Sequence, residues 1–459
     1  MEFELDRDRL ISEGSPGGEG LRLRREIGLW SAVSLMAGCM IGSGVFMSPQ
    51  GVLVYMGSPG ASLMVWAGCG LLAMMGALCY AELSALVPKS GGEYAYILQI
   101  FGSLPAFLVI YTFVLLVRPA AIAAVSLSFA EYAVTPFYPG CSSMPQAVLK
   151  GVAASCILLL TLVNCWSSRL ATMLVNVCAV AKVFSLLVIV VGGAVVLGQG
   201  RGHTETFLLA FHNTTQQAGR IGMAFYQGMW SFDGWNNVNY VVEELKNPKQ
   251  NLVWAVMIAI PLVTSLGKDS VLGAWAWLVP LAVVLSTFGS ANGMFFGGSR
   301  VCYVAAREGH MPQLLSMVHV HRLTPSPALM FTTAVALVLV IPGSFSTIVN
   351  FLSFLGWITY GTTIGCLLYL RIKKKNLPRP YKVPTIIPVI MLLASLYLVL
   401  APIIDHPQIE FLYIFLFLLS GIPVYFLFVY FHCQPRCLQM ATLYLQLLLE
   451  VAPTTKNVD

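Results

Sequence analysis

The fold class this sequence predicts is an all-α protein that crosses a membrane many times, and three observations predict it. Hydrophobic residues make up 57% of the 459 and charged residues only 10%, with a mean hydropathy of +0.78, whereas a soluble domain carries about 25% charged residues. The apolar residues gather in runs long enough to cross a bilayer, near 30–55, 61–87, 97–130, 147–165, 171–198, 219–245, 252–266, 272–298, 327–341, 346–370, 383–403 and 411–432. The sparse basic residues punctuate alternate connections between those runs.

Those basic residues set the orientation. Arg22, Arg24 and Arg25, Lys89, Arg169, Lys246 with Lys249, Arg300 with Arg307 and Arg322, and Arg371 to Lys382 fall where a cytosolic N-terminus would put them, while the loops 131–146 and 404–410 hold no Lys or Arg. Both termini are therefore expected in the cytosol. The formal charge of +6 is read as this bias rather than as an affinity for nucleic acid. Residues 1–27 are expected as an N-terminal tail, 28–432 as the membrane domain and 433–459 as a C-terminal tail. No cleavable signal peptide is expected, because the chain stays polar until the first run.

Two runs are interrupted. The first breaks at Gly38-Cys39-Met40-Ile41-Gly42-Ser43-Gly44-Val45-Phe46, and the sixth at Ser231-Phe232-Asp233-Gly234-Trp235. A charge at the bilayer centre costs roughly 2.5–3.5 kcal/mol on insertion scales, so Asp233 is read as lining a site or a water path. A hairpin loop between two short spans is the competing reading. It is weakened by the absence of any cationic residue between Arg220 and Lys246. Broken spans in corresponding halves point to a transporter built from inverted repeats, with repeat one about 28–200, repeat two about 215–370 and two further helices at 383–432. Half-helix ends supply free N–H groups for a carboxylate and free carbonyls for an ammonium, which together suit a zwitterion.

The seventh run is defective. Leu252 to Leu266 is 15 residues, about 22 Å at 1.5 Å per residue against a hydrocarbon core of about 30 Å. The basic loops on both sides nevertheless require the chain to go out and return there. Eleven cysteines are present, mostly inside apolar runs, and no Cys/His spacing suits a metal. No cofactor or metal is expected. Enzyme chemistry is disfavoured, because no Asp or Glu pairs with a His or Cys base on nearby turns.

At GCMIGSGVFMSP, AELSALVPKSGGEYAY, FDGWNNVNYVVEELKNPKQNL and SRVCYVAAREGHMP the chain resembles the light chains of heteromeric amino acid transporters, within the amino acid–polyamine–organocation superfamily. Within that family it is most similar to the light chain that exchanges cystine and dibasic for neutral amino acids alongside the heavy chain rBAT, with an aromatic-preferring light chain as the competitor. The resemblance implies the LeuT-type fold of two inverted five-helix repeats. It also implies sodium-independent amino acid exchange, and a plasma-membrane address with the apical membrane as one option. Ile41, Gly42, Ser43 and Gly44 match the unwound first helix that holds the substrate's α-carboxylate and α-amino groups. Phe232 and Asp233 match the unwound sixth, and Trp230 matches an aromatic that closes over the substrate. Asp233 would then pair with a basic substrate side chain or polarise a cystine; the alternative is an Asp that caps the second half-helix.

Lys182 matches a lysine standing in place of a sodium ion between the first and eighth helices, with a snorkelling lysine as the alternative. Cys141 is the one cysteine placed in an outer loop. The resemblance implies a disulfide from it to the heavy chain, against the alternative of a free thiol. Asn213-Thr214-Thr215 is a glycosylation acceptor in a predicted outer loop close to the membrane. Compared with the family, the second half of the seventh helix and the loop after it are missing between Thr264 and Asp269. A transport-inactive form that only binds a heavy chain therefore stands beside the exchanger reading.

Overall fold

The computed structural model describes residues 43–87, 92–138, 145–167, 211–236, 278–307, 309–319, 324–374, 381–405, 409–431 and 436–453, with scattered single residues elsewhere. Ile41, Gly42, Cys141 and nearly all of the short run 252–266 lie outside the described residues.

Helices dominate, as predicted. They are α1 (Ser43–Met56), α2 (Pro59–Leu86), α3 (Glu93–Phe101), α4 (Ser103–Phe137), α5 (Gln146–Trp166), α6 (Ala218–Ser231), α7 (Leu278–Arg307), α8 (Ser326–Val340), α9 (Phe345–Lys373), α10 (Ile386–Asp405), α11 (Ile409–Val424 with its π-helical extension Tyr425–Tyr430) and α12 (Arg436–Leu449). Among the described residues, six of these helices are long and apolar enough to cross a membrane: α2, α4, α5, α9, α10 and α11.

Two elements depart from the expected layout. The run 97–130 is not one span: Gly102, at φ 93, separates the short α3 from α4. A left-handed backbone there costs glycine little and ends the helix. The expected tail 433–459 also contains structure. Leu-rich α12 leads into β2 (Val451–Pro453), which pairs antiparallel with β1 (Met317–His319) in the register Met317 to Pro453 and His319 to Val451.

Packing brings the two interrupted runs together. Helix α6 lies against α1, α10, α2 and α9, while α4 lies against α7, α5, α8 and α9. The core between them is strongly aromatic. Tyr80 sits edge-on to Trp235 with ring centroids 4.8 Å apart, and Trp235 lies 5.1 Å from Tyr360. Such tilted pairs add about 0.5–1.5 kcal/mol beyond the area they bury.

One ionic pair is buried in the frame. Glu82 near the end of α2 receives Arg371 near the end of α9 through both carboxylate oxygens, with Nε to Oε1 at 3.1 Å and NH2 to Oε2. Glu82 Oε2 also accepts the Val383 N–H at 2.9 Å, and Arg371 NH2 donates to the Val383 carbonyl at 2.7 Å. The fork geometry and the extra main-chain bonds leave both charges well compensated.

Candidate functional site

The site is built where Gly44 of α1 meets the end of α6. Gly44 meets the α6 main chain directly: a Cβ placed on it would lie 2.6 Å from Ser231 Cα and 2.9 Å from the Trp230 carbonyl oxygen. Only glycine allows two backbones this close. The α1 backbone thus abuts the C-terminal end of α6. Ser231 Oγ is buried there with no hydrogen-bond partner among the described residues, and an orphaned buried hydroxyl calls for an explanation.

Helix α6 ends at Ser231, where the sequence places the interruption; the continuation of that run beyond Asn236 lies outside the described residues. Beyond Ser231 the chain turns, with Phe232 N–H to Met229 O at 3.0 Å, Asp233 N–H to Trp230 O at 3.3 Å and Trp235 N–H to Phe232 O at 3.3 Å. Gly234 follows at φ 103, in the region that favours glycine. Asp233 takes a backbone hydrogen bond from Gly234. It is nonetheless open to space, and that space is an internal cavity rather than the outer surface.

That cavity has a volume of about 90 Å³ and lies among α3, α4, α7, α9 and the end of α6. Its polar lining is Glu93, Tyr94, Thr112, Arg118, Asp233, Asn236, Thr359 and Tyr360. Polar groups that converge on a partly apolar cavity are what orient a ligand in a binding pocket. A second cavity lies beside it and adds Trp230, Ser353 and Trp357; the two share Val117, Ala121, Asp233, Gly356 and Tyr360. Asp233 and Tyr360 therefore stand in the wall between two chambers.

Three ionisable side chains face the first chamber: Glu93, Arg118 and Asp233. Asn236 donates to Glu93 Oε1, which ties the broken end of α6 to α3. Arg118 stacks its guanidinium 4.5 Å over the Phe113 ring, a cation–π contact that gains strength when desolvated. Arg118 and Asp233 also feel each other's charge. Directly before Arg118, α4 adopts a π-helical stretch, Phe113–Val117, which itself lines the cavity. Such stretches recur at functional sites, because the extra residue re-aims the side chains that follow.

The remaining sequence candidates are distributed as follows. Trp230 is buried, borders the second cavity and packs edge-on against Phe345 at 6.2 Å. The Phe232 side chain points away from both cavities, fully buried against Trp66 at 5.8 Å. Ser43 and Gly44 lie in α1, and no α1 residue lines either cavity among the described residues. Lys182 is buried in a stretch whose described residues are helical, and donates to Ser290 Oγ on α7 at 2.8 Å. The snorkelling alternative does not fit a buried ammonium bonded to another helix. Asn213 is exposed at φ 63, in a turn held to the α1–α2 junction by Thr215 N–H to Met56 O and by Thr214 with Ser58. The described cysteines are free thiols, buried or half-buried, and no metal-binding cluster occurs among the described residues.

Sequence reasoning overlooked Arg118, Glu93 and Tyr360. Arg118 carried a usable signal: an arginine deep in an apolar run is a functional candidate for the same reason as Asp233.

Comparison with known proteins places these features in a family. The sequence pattern of the amino acid permease family matches residues 27–267 and 261–429, and the two stretches meet at the shortened seventh run. The b(0,+)-type amino acid transporter 1 of Mus musculus is 44% identical over 95% of each chain, and that of Homo sapiens 43% over the same share. The Large neutral amino acids transporter small subunit 2 of Homo sapiens is 40% identical over 93% of this chain and 84% of its own. These relatives are transporters and not enzymes. Spanning helices, the end of α6 inside an apolar run and a charged internal cavity agree with that match, and the chain belongs to the amino acid permease family.

Proposed function

We propose that this chain is the light chain of a heteromeric transporter and exchanges amino acids across the plasma membrane without sodium, taking dibasic amino acids and cystine along with large neutral ones. The observation that carries the reading is Asp233, held by the α6 break in the wall of a cavity that also contains Arg118 and Glu93. The break expected at Gly38–Gly44 in the sequence, next to the end of α6 at Ser231, supports binding of the α-carboxylate and α-ammonium common to all amino acids. The Asp233 carboxylate then distinguishes side chains, forming a charge-assisted hydrogen bond with a lysine or arginine substrate. Trp230 and Tyr360 supply the aromatic walls for neutral side chains. Lys182 on Ser290 supports sodium independence, because a resident ammonium does the bridging work of a bound cation.

The relatives' names support amino acid transport of the b(0,+) or large-neutral type. The partner in this reading is a single-span glycoprotein, rBAT or its relative, bridged through Cys141. Co-expression with the heavy chain, followed by uptake of radiolabelled arginine, cystine and leucine into proteoliposomes, tests the proposal. Asp233→Asn should cut arginine uptake at least tenfold more than leucine uptake, and an equal loss of both removes Asp233 from substrate discrimination.

One observation favours a second reading. The shortened run 252–266 and the division of the family match at 261–267 support a chain that assembles with a heavy chain but transports weakly. Uptake by the 459-residue chain equal to that of a version with the missing stretch restored from a relative would rule this reading out.

A further inference from the structure

Helix α12 presents its apolar side outward. Met440, Leu443, Tyr444, Leu447 and Leu448 are 59–74% exposed, and their i, i+3, i+4, i+7, i+8 spacing makes one continuous stripe. The adjoining side is half-buried at Thr442, Leu445, Gln446 and Leu449, and faces the protein. Gln446 Nε2 donates to Met317 Sδ at 3.0 Å, α12 packs on the turn Gln313–Ser316, and β2 pairs with β1. The C-terminal end of the helix is thus tethered while its leucine stripe stays uncovered. On a soluble surface such a stripe is a liability.

We propose that α12 is an interfacial helix whose stripe Met440–Leu448 is seated in the acyl–headgroup boundary of the phospholipid bilayer. Position singles out lipid as the occupant. Only five residues, 431–435, separate α12 from the end of α11, a reach of roughly 20 Å at 3.3–3.6 Å per residue. The last turns of α11 expose Phe426, Leu427, Phe428, Tyr430 and Phe431, the aromatic girdle expected where a span leaves the hydrocarbon. The stripe continues that lipid-facing surface. Its far end is held at the membrane face by β1, in the short connection between the bundle helices α7 and α8. With five apolar residues and no charge in the stripe, hydrophobic burial drives the seating, and anionic lipid is not required.

The placement has an architectural consequence. A helix floating at the boundary, bonded through Gln446 and β2 to the α7–α8 connection, holds that connection at a fixed depth, and α7 carries both the Lys182 partner Ser290 and the cavity residue Val301.

Photo-crosslinking of the full chain in phosphatidylcholine nanodiscs tests the proposal. Tyr444→p-benzoylphenylalanine should yield a product heavier by one phospholipid, several-fold more abundant than from Gln446→p-benzoylphenylalanine. The latter should instead crosslink within the chain, to residues 313–319. Crosslinking of position 444 to a second copy or to another protein overturns the proposal. So does the absence of a lipid adduct at 444 while 446 crosslinks normally. Failure of the 446 crosslink overturns the tethering on which the placement rests.

Discussion

The Glu82–Arg371 pair offers a quantitative test of what holds the bundle together. Glu82 is fully buried, accepts from Arg371 through both oxygens and takes the Val383 N–H as well. Glu82→Gln keeps the shape and removes the charge, so Arg371 stays buried with its positive charge uncompensated. Breaking a buried pair from one side costs about 3–5 kcal/mol. Arg371→Met inverts the defect: it strands the carboxylate and frees the Val383 carbonyl, at a similar cost. The double variant Glu82→Gln with Arg371→Met removes both charges together, and its penalty should be well below the sum of the singles. The coupling read from the cycle should be about 2–3 kcal/mol, at the upper end for residues in contact. Apparent unfolding temperature, followed by fluorescence-detected gel filtration after heating in detergent, reads all four forms under one protocol. Singles indistinguishable from the parent, or a double variant as weak as the two singles added, would refute the view that paired charge stabilises this face.

Two further variants probe the site. Gly44→Ala puts a methyl group 2.6 Å from Ser231 Cα, an overpacking that costs about 1–3 kcal/mol; it should lower the unfolding temperature and abolish uptake, and parental uptake from this variant would show that the two helix ends are not held in contact. Lys182→Met removes the bond to Ser290 Oγ at 2.8 Å and leaves that hydroxyl buried, which costs about 1–3 kcal/mol; uptake in sodium-free medium should fall sharply, and uptake at the parental level would make the lysine a bystander.

What could be read from the sequence was what depends on local chain chemistry. Glycine beside a carboxylate in an apolar run announces a broken helix, and the turn at Phe232–Gly234 has that position. The approach of Gly44 to Ser231 was suggested by the pairing of two breaks, although neither break alone implies contact. Arg118 was hidden by averaging, since one charge barely lowers the hydropathy of a 35-residue helix. Glu93 stood in a recognised motif without a role, because its partner Asn236 lies 143 residues away. Tyr360 sits in a span with no sequence mark at all, and only the packing of α9 against α6 brings it to the cavity. The pairing of β2 with β1 links residues over a hundred positions apart through main-chain bonds, for which three-residue strands leave no periodic trace.

Ionisable residues inside apolar helices share one sequence signal and have two physical outcomes here, and satisfaction of their hydrogen-bonding capacity separates them. Glu82 and Arg371 meet through a bidentate fork, add main-chain partners at Val383, and line neither cavity. A pair so fully compensated has no capacity left for a ligand, so its role is to fix α2, α9 and the start of α10. Asp233 has only a local backbone bond from Gly234 and faces open volume, with Arg118 and Glu93 around the same chamber. Among the described residues that chamber is lined by two carboxyl groups, Glu93 and Asp233, and one guanidinium, Arg118. In the function we propose, a basic substrate side chain would pair with a carboxyl group of this chamber. The preference for basic substrates that we propose rests on three residues on three different elements, of which Asp233 follows the end of α6.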